Sequence, residues 1–181
     1  MATMIKLGEL TGDYVIDTAR TRIGLVARHT MGTKVSGRFD EFEGSVHLDG
    51  DDPSKSGALL SLRTASIRTG NPQRDDMLRG KFLDADNHPA LTFATASVEQ
   101  VGETSFKVTG DLTVRGVGRP ITLDVELTRA EEDPQGGVSV GFKGGAVVNR
   151  QDWHVNWNAA TALMVGPKVL LELDVTLTRK P

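Results

Sequence analysis

Apolar and polar residues alternate with a period of two along most of the chain. The stretch ITLDVEL, residues 121–127, places its aliphatic side chains on one face and its threonine, aspartate and glutamate on the other. Strands with one apolar and one polar face are typical of antiparallel sheets. Because the alternation recurs between hairpin-like spacers such as EEDPQGG, the pattern predicts an all-β protein of about eight or nine strands.

One segment breaks this alternation and predicts a short helical excursion around residues 72–86. Asn71 can cap the helix, Pro72 suits its first position, and Asp75 and Asp76 favour its positive end. An apolar stripe follows on the same segment, made of Met77, Leu78, Phe82 and Leu83.

Long meandering strands favour a closed barrel over a sandwich, because closure removes exposed strand edges. An eight-stranded barrel is either filled by its own side chains or holds one small ligand. Small residues on the predicted inner face favour an interior with room; they are Ala27, Gly44, Gly110, Gly144 and Ala146.

Composition narrows the classes of function. The chain has 181 residues and a net charge of −3, without the basic excess that nucleic-acid binding requires. Cysteine is absent, which excludes disulfides and Cys-ligated zinc. No apolar run is long enough for a transmembrane helix, and Lys6, Gly8 and Glu9 interrupt any secretory signal. We therefore expect a cytoplasmic protein.

His29 is the first residue that could carry chemistry. In residues 22–31 it shares the apolar face of the strand with Ile23, Leu25, Ala27 and Met31. One interpretation is a core histidine that is satisfied by a backbone partner. The other is a polar group near the head of an apolar ligand, since such pockets combine apolar walls with a few placed polar groups.

Catalysis and metal binding have no positive signal in the sequence. No two histidines have the spacing of a metal site, and no Gly-x-Ser-x-Gly nucleophile motif is present. We accordingly predict no catalytic residue, no metal and no cofactor other than a bound lipid.

Both tryptophans lie in NRQDWHVNWN, residues 149–158. Trp153 and Trp157 either plug one end of the barrel or, together with Asn156 and Asn158, form the mouth of a pocket. The sequence does not decide between these two roles.

Two clusters of basic residues allow a second pair of interpretations. Arg115 and Arg119 flank glycines in GDLTVRGVGRP, which is either a plain hairpin or an anion site. Arg74, Arg79 and Lys81 on the helical segment favour a solvated helix face over a second anion site.

Several stretches taken in order resemble one family. GDYVIDTARTRIGLVARHTMG, GRFDEFEG, ASIRTGNPQRDDMLRGKFLDADNHPALTF, GDLTVRGVGRPITLDVEL, GFKGGAVVNRQDW and VGPKVLLELDV are similar to the YceI-like, or polyisoprenoid-binding, proteins. The resemblance runs from about residue 13 to residue 178. It implies an eight-stranded antiparallel lipocalin-like barrel over residues 13–179, after an N-terminal segment 1–12. Many members are exported, whereas we expect no leader in this chain.

The resemblance also implies a hydrophobic cavity for a polyprenyl chain, and binding rather than catalysis. The expected ligand is an isoprenoid diphosphate, a quinone or a related lipid, and a homodimer is among the expected states. Departures from the family pattern concern the headgroup preference and fall at Tyr14, Thr21, Arg22, Trp153, His154 and Pro167. The predicted ligand-binding residues are Ile23, Leu25, Ala27, His29, Met31, Phe82, Phe93, Leu112, Phe142, Ala146, Arg150, Trp153 and Trp157.

Two other functions are weighed against this one. The first is an enzyme that acts on a small apolar or isoprenoid substrate, with His29 or His154 as the acid–base group and Arg150 and Asp152 orienting it. The second is a stress-related structural protein whose barrel is filled with side chains.

Overall fold

A computed structural model describes residues 6–28, 34–132, 134, 136–155 and 167–181. Its strands form one antiparallel sheet. They are β1 (Gly12–Ile16), β2 (Arg22–Arg28), β3 (Lys34–Phe39), β4 (Phe42–Leu48), β5 (Gly57–Arg63), β6 (Ile67–Arg68), β7 (Ala90–Gln100), β8 (Ser105–Val114), β9 (Val117–Glu132), β10 (Val138–Asn149) and β11 (Lys168–Arg179).

The sheet closes on itself through pairing of β1 with β11. A turn at Thr18–Arg20 divides the first strand of the wall into β1 and β2, which pair with different parts of β11. The second strand of the wall is likewise divided into β3 and β4. A turn at Thr64–Ser66 divides the third strand in the same way, into β5, which pairs with β4, and β6, which pairs with β3. Counting each of the three divided strands once gives a closed eight-stranded antiparallel barrel, which confirms the predicted fold class.

The predicted helical excursion is present and begins where its capping residue places it. The side chain of Asn71 accepts a hydrogen bond from the amide of Arg74 at 3.1 Å, and α1 runs over Pro72–Met77. A wider helical turn continues over Leu78–Phe82, so the helix ends before residue 86. Within the part of the chain that the structure describes, no helix is long and apolar enough to cross a membrane.

The strands run up and down, so the connections collect at two ends. We call the end with α1 the upper end and the end with the turn Leu7–Leu10 the lower end. The β8–β9 connection at the upper end is a two-residue hairpin, in which Arg115 and Gly116 have φ values of 56° and 78°. Both values suit the turn that matches the twist of paired strands.

The buried side chains form two clusters, one near each end of the barrel. The lower core consists of Leu10, Tyr14, Ala130, Val138, Val140 and Leu177. The larger upper core consists of Ile23, Phe39, Leu62, Ile67, Phe82, Leu83, Leu91, Phe93, Val114, Ile121, Leu123, Trp153 and Val155.

The glycines of the inner face do not act as predicted. A Cβ atom on Gly110 would lie 2.4 Å from the carbonyl oxygen of Ala94 and 2.6 Å from the ring of Phe93. Gly44 and Gly144 are crowded in the same way by neighbouring backbone and side-chain atoms. These three glycines admit close neighbours, so they do not provide the room that was predicted from them; of the five small residues, Ala27 does line an open space.

Candidate ligand-binding cavity

The barrel encloses a cavity of about 600 Å³, within the range of small-molecule sites. Its wall consists mainly of the inward-facing aliphatic and aromatic side chains of the strands. They include Ile23, Leu25, Leu60, Leu62, Phe93, Val108, Leu112, Leu123, Val125, Phe142, Leu171 and Leu173. Several of these side chains, such as Leu25 and Val108, are only partly buried although they point into the barrel, because they face this space.

Most of the predicted ligand-binding residues that the structure describes lie on this wall. Those on the wall are Ile23, Leu25, Ala27, Phe82, Phe93, Leu112, Phe142, Arg150 and Trp153. Ala146 instead packs against the upper core and borders a shallow depression beside Pro120 and Lys168. His29, Met31 and Trp157 fall outside the described residues.

The cavity meets solvent beside α1. Asn71, Gln73 and Met77 all line the cavity and are all exposed, and they lie next to one another on the helix and its cap. Leu78 and Phe82 extend the same lining inward. The apolar stripe predicted for this segment therefore forms part of the wall at the mouth of the cavity.

Arg74 reaches the cavity and is held by Thr69. Its Nε–H donates to the Thr69 hydroxyl at 2.7 Å, and its Nη2 donates to the Thr69 carbonyl at 2.8 Å. The buried carboxylate of Asp75 accepts from the Thr69 amide at 2.9 Å and from its hydroxyl. The sequence pattern did not indicate Thr69, because Thr69 meets Arg74 and Asp75 only through the turn that brings α1 back over β6.

Arg150 and Trp153 lie in the turn that follows β10, and both line the cavity. The Nη1 of Arg150 donates to the Val155 carbonyl at 2.8 Å, and burial lowers the pKa of its guanidinium. The indole N–H of Trp153 donates to the Leu112 carbonyl at 2.7 Å. Trp153 is buried, joins the turn after β10 to β8, and has its N–H engaged by the protein itself.

The other basic residues separate into different environments. Arg79 donates to the Ile67 carbonyl at 3.1 Å and pairs with Asp76 at 3.3 Å, whereas Lys81 is exposed. Arg119 donates to the backbone carbonyl of Asp152 at 3.2 Å. The helix therefore does not present one uniform solvated face, since Arg79 fastens it to β6. Among the described residues, no group of three or more His, Asp or Glu side chains could hold a metal ion.

The lining extends down to residues that sequence reasoning did not assign to the site. At the lower end these are Leu7, Leu10, Leu48, Pro53 and Gly57. The amino-terminal turn and the connection between β4 and β5 thus border the lower end of the cavity. No residue pattern in these loops signals that role.

The similarity to a known family and to curated relatives extends over most of the chain. The model of the YceI-like domain matches residues 14–177. A UPF0312 protein of Vibrio parahaemolyticus is 34% identical over 158 residues, which are 86% of this chain and 84% of that protein. A UPF0312 protein of Pseudomonas aeruginosa is 32% identical over 156 residues, covering 84% of this chain and 81% of the relative.

Solved structures show the same fold at lower identity. BcnA of Burkholderia cenocepacia superposes with a TM-score of 0.80 at 22% identity, over 89% of this chain and 98% of that one. A YceI protein of Campylobacter jejuni gives a TM-score of 0.77 at 24% identity, over 85% and 90% of the two chains. A polyisoprenoid binding domain from Saccharophagus degradans gives 0.72 at 17% identity, over 92% and 98%.

Proposed function

The chain belongs to the YceI-like family, and from this membership we propose that it binds an isoprenoid-type amphiphilic lipid in the barrel cavity and carries it without altering it. The observation that carries the proposal is the apolar cavity of about 600 Å³. The similar domain from Saccharophagus degradans, described as polyisoprenoid binding, supports the class of ligand.

The size of the cavity sets the length of tail that we propose. At about 30 Å³ for each group the size of a water molecule, the cavity has room for roughly twenty carbon-sized groups. Each buried methylene contributes roughly 0.8 kcal/mol, so the gross gain is ample even after the tail is ordered. A tail of about four isoprene units therefore matches the space.

We propose that the headgroup lies at the upper end, beside Arg74 and Arg150. Both arginines line the cavity and belong to segments of the upper end, Arg74 to α1 and Arg150 to the turn after β10. The hydrogen bonds of Arg74 to Thr69 use two of the five N–H donors of a guanidinium, and a diphosphate would accept from others. A quinone needs a neutral donor, and the indole N–H of Trp153 is already bonded to Leu112. These contacts favour an anionic head.

We propose binding rather than catalysis because the polar side chains at the cavity hold the wall together. Arg74 holds Thr69, Arg150 holds the Val155 carbonyl, and Trp153 holds the Leu112 carbonyl. Each group thus has a role in the fold that needs no reacting substrate. The cytoplasmic location and the homodimer stay predictions from the sequence.

Native mass spectrometry tests the proposal with two probes, geranylgeraniol and geranylgeranyl diphosphate. We expect one lipid per chain, with unchanged mass after incubation and tighter binding of the diphosphate. Ala27→Trp, which places an indole in the cavity, should abolish binding while the protein stays folded. Ala94→Trp on the exposed outer face should bind as the wild type does. Unchanged binding by folded Ala27→Trp would contradict the cavity site, and a changed lipid mass would contradict carriage without chemistry.

A further inference from the structure

The outer wall at the upper end carries a strip of side chains that neither the core nor the cavity uses. On the outer face, Val147 of β10 lies opposite Leu170 of β11, and Leu170 lies opposite Val26 of β2. Closer to the strand tips on the same face are Lys168, Arg28 and Lys34. We call this surface the rim strip: Val26, Val147, Leu170, Arg28, Lys34 and Lys168.

The apolar row of the rim strip lies on the face that antiparallel strands normally give to polar residues. Val147 is 66% exposed and Leu170 is 36% exposed. Outward positions deeper on the same wall carry Arg22, Lys143 and Glu172, as that rule expects. Packing within the barrel therefore does not explain why aliphatic side chains occupy this row.

The cationic row is equally unexplained by the fold. Arg28 lies directly opposite Lys34, and like charges in facing positions destabilise a strand pair. Lys168 begins the next strand, β11, beside β2. Within the described ranges none of the three forms an ion pair with an acidic side chain. The arrangement costs stability, which points to a use outside the molecule.

The two ends of the barrel differ in charge. In the loops and strand tips of the upper end, basic residues outnumber acidic ones: Arg28, Lys34, Arg74, Arg79, Lys81, Arg115, Arg150 and Lys168 against Asp75, Asp76, Asp84, Asp86 and Asp152. At the lower end the balance is reversed: Lys6, Lys55, Arg179 and Lys180 against Glu9, Asp13, Asp49, Asp51, Asp52, Glu99, Glu103, Glu131 and Glu132. Residues 29–33 and 156–166 contain no Lys, Arg, Asp or Glu, so they leave the upper balance unchanged.

We propose that the rim strip docks the barrel on an anionic bilayer surface, with the mouth of the cavity towards the membrane. Exposed aliphatic side chains beside unpaired cations are what an interfacial membrane site requires. The strip has six residues, whereas each partner of a stable protein interface contributes about 20–30. This inference goes beyond lipid carriage and needs no ligand in the cavity, so ligand-free protein tests it separately.

Vesicle co-sedimentation tests the charged row, with phosphatidylcholine vesicles that contain or lack phosphatidylglycerol. Because the whole chain has a net charge of −3, general attraction to an anionic surface is not expected. The wild type should bind the phosphatidylglycerol vesicles far better. Arg28→Gln/Lys34→Gln/Lys168→Gln should weaken that binding about 100-fold, from about fivefold per cation. The control variant Lys6→Gln/Lys55→Gln/Lys180→Gln makes the same change in net charge at the lower end. It should keep at least half of the wild-type affinity for these vesicles.

A second pair of variants tests the apolar row. Val147→Thr/Leu170→Thr should weaken binding most at high salt, where screening has removed the attraction between charges. Val101→Thr, at an exposed lower turn, should leave binding unchanged. Thermal melting establishes that each variant is folded. Equal losses in the two triple charge variants, or no binding of the folded wild type to phosphatidylglycerol vesicles, would overturn the proposal.

Discussion

The two ends of the barrel interior use the same classes of side chain and differ in how closely they are packed. In the lower core, Leu10, Tyr14, Ala130 and Val140 are 0% exposed. Two of the six lower-core residues, Leu10 and Leu177, reach the cavity, whereas all thirteen upper-core residues line it. One sheet therefore builds a closely packed region and a hollow region from one alternating pattern.

The buried tyrosine of the lower core is anchored through its hydroxyl. The hydroxyl of Tyr14 donates to the Leu10 carbonyl at 2.7 Å, which fastens the amino-terminal turn under the barrel. Without such a partner a buried tyrosine hydroxyl would be costly. At the upper end, the hydrogen bonds of Arg74 and Trp153 hold the wall around the space rather than filling it. The buried hydroxyl thus anchors the closely packed end, whereas the polar anchors of the upper end leave the space open.

The largest expected effect comes from truncating one aromatic ring in each region. Tyr14→Ala should lower the free energy of unfolding by about 3–5 kcal/mol, because it opens a new void in closely packed surroundings. Phe93→Ala should cost at least about 1 kcal/mol less, since its ring already borders a cavity. Urea denaturation followed by circular dichroism measures both. Equal losses would show that the upper interior is as tightly packed as the lower core.

A smaller effect is expected from adding volume at two alanines. Ala130 is 0% exposed within the lower core, whereas Ala27 lies on the cavity wall. Ala130→Leu should destabilise the protein by about 1–3 kcal/mol through overpacking. Ala27→Leu should change stability little, because the new side chain enters existing space. The same denaturation measurement checks the pair, and a large loss in Ala27→Leu would mean that no cavity adjoins this residue.

The architecture could be predicted from the sequence because alternation is a local property. The alternate apolar side chains of residues 121–127 and 169–177 point into the barrel as predicted. The capping residue Asn71 correctly predicted where α1 begins. The helix stops at Phe82 instead of near residue 86, because Asp84 takes a positive φ of 50°. That backbone turn follows from the contacts of the loop, which periodicity does not describe.

The candidate site was predicted less completely. The strand residues of the cavity wall can be predicted from the alternation, because they are the apolar residues of the inward face. The position of the mouth cannot, because it depends on how α1 folds over the barrel. Thr69 holds Arg74, and Leu7 and Pro53 line the lower end of the cavity. These roles arise from contacts between segments that the alternation of apolar and polar residues does not relate to one another. Gly110 shows the same limit, since a small residue marks either empty space or a close neighbour, and here Phe93 is the neighbour.

The smallest expected change in stability comes from the titration of Tyr14, which has its effect only at high pH and involves a single side chain. Burial raises the pKa of its phenol above the ordinary value of 10.0, and nearby Arg179 opposes the rise. A phenol with a raised pKa in the folded state stabilises the fold fully below pH 10, and this contribution is lost as pH rises through the folded pKa. Tyr14 is the only tyrosine, so phenolate absorbance reports it alone. We expect the urea midpoint to fall more steeply above pH 10 in the wild type than in Tyr14→Phe. Parallel slopes, or a phenol that titrates at its ordinary pKa, would mean that the lower end is open to water and would remove the distinction between the two ends.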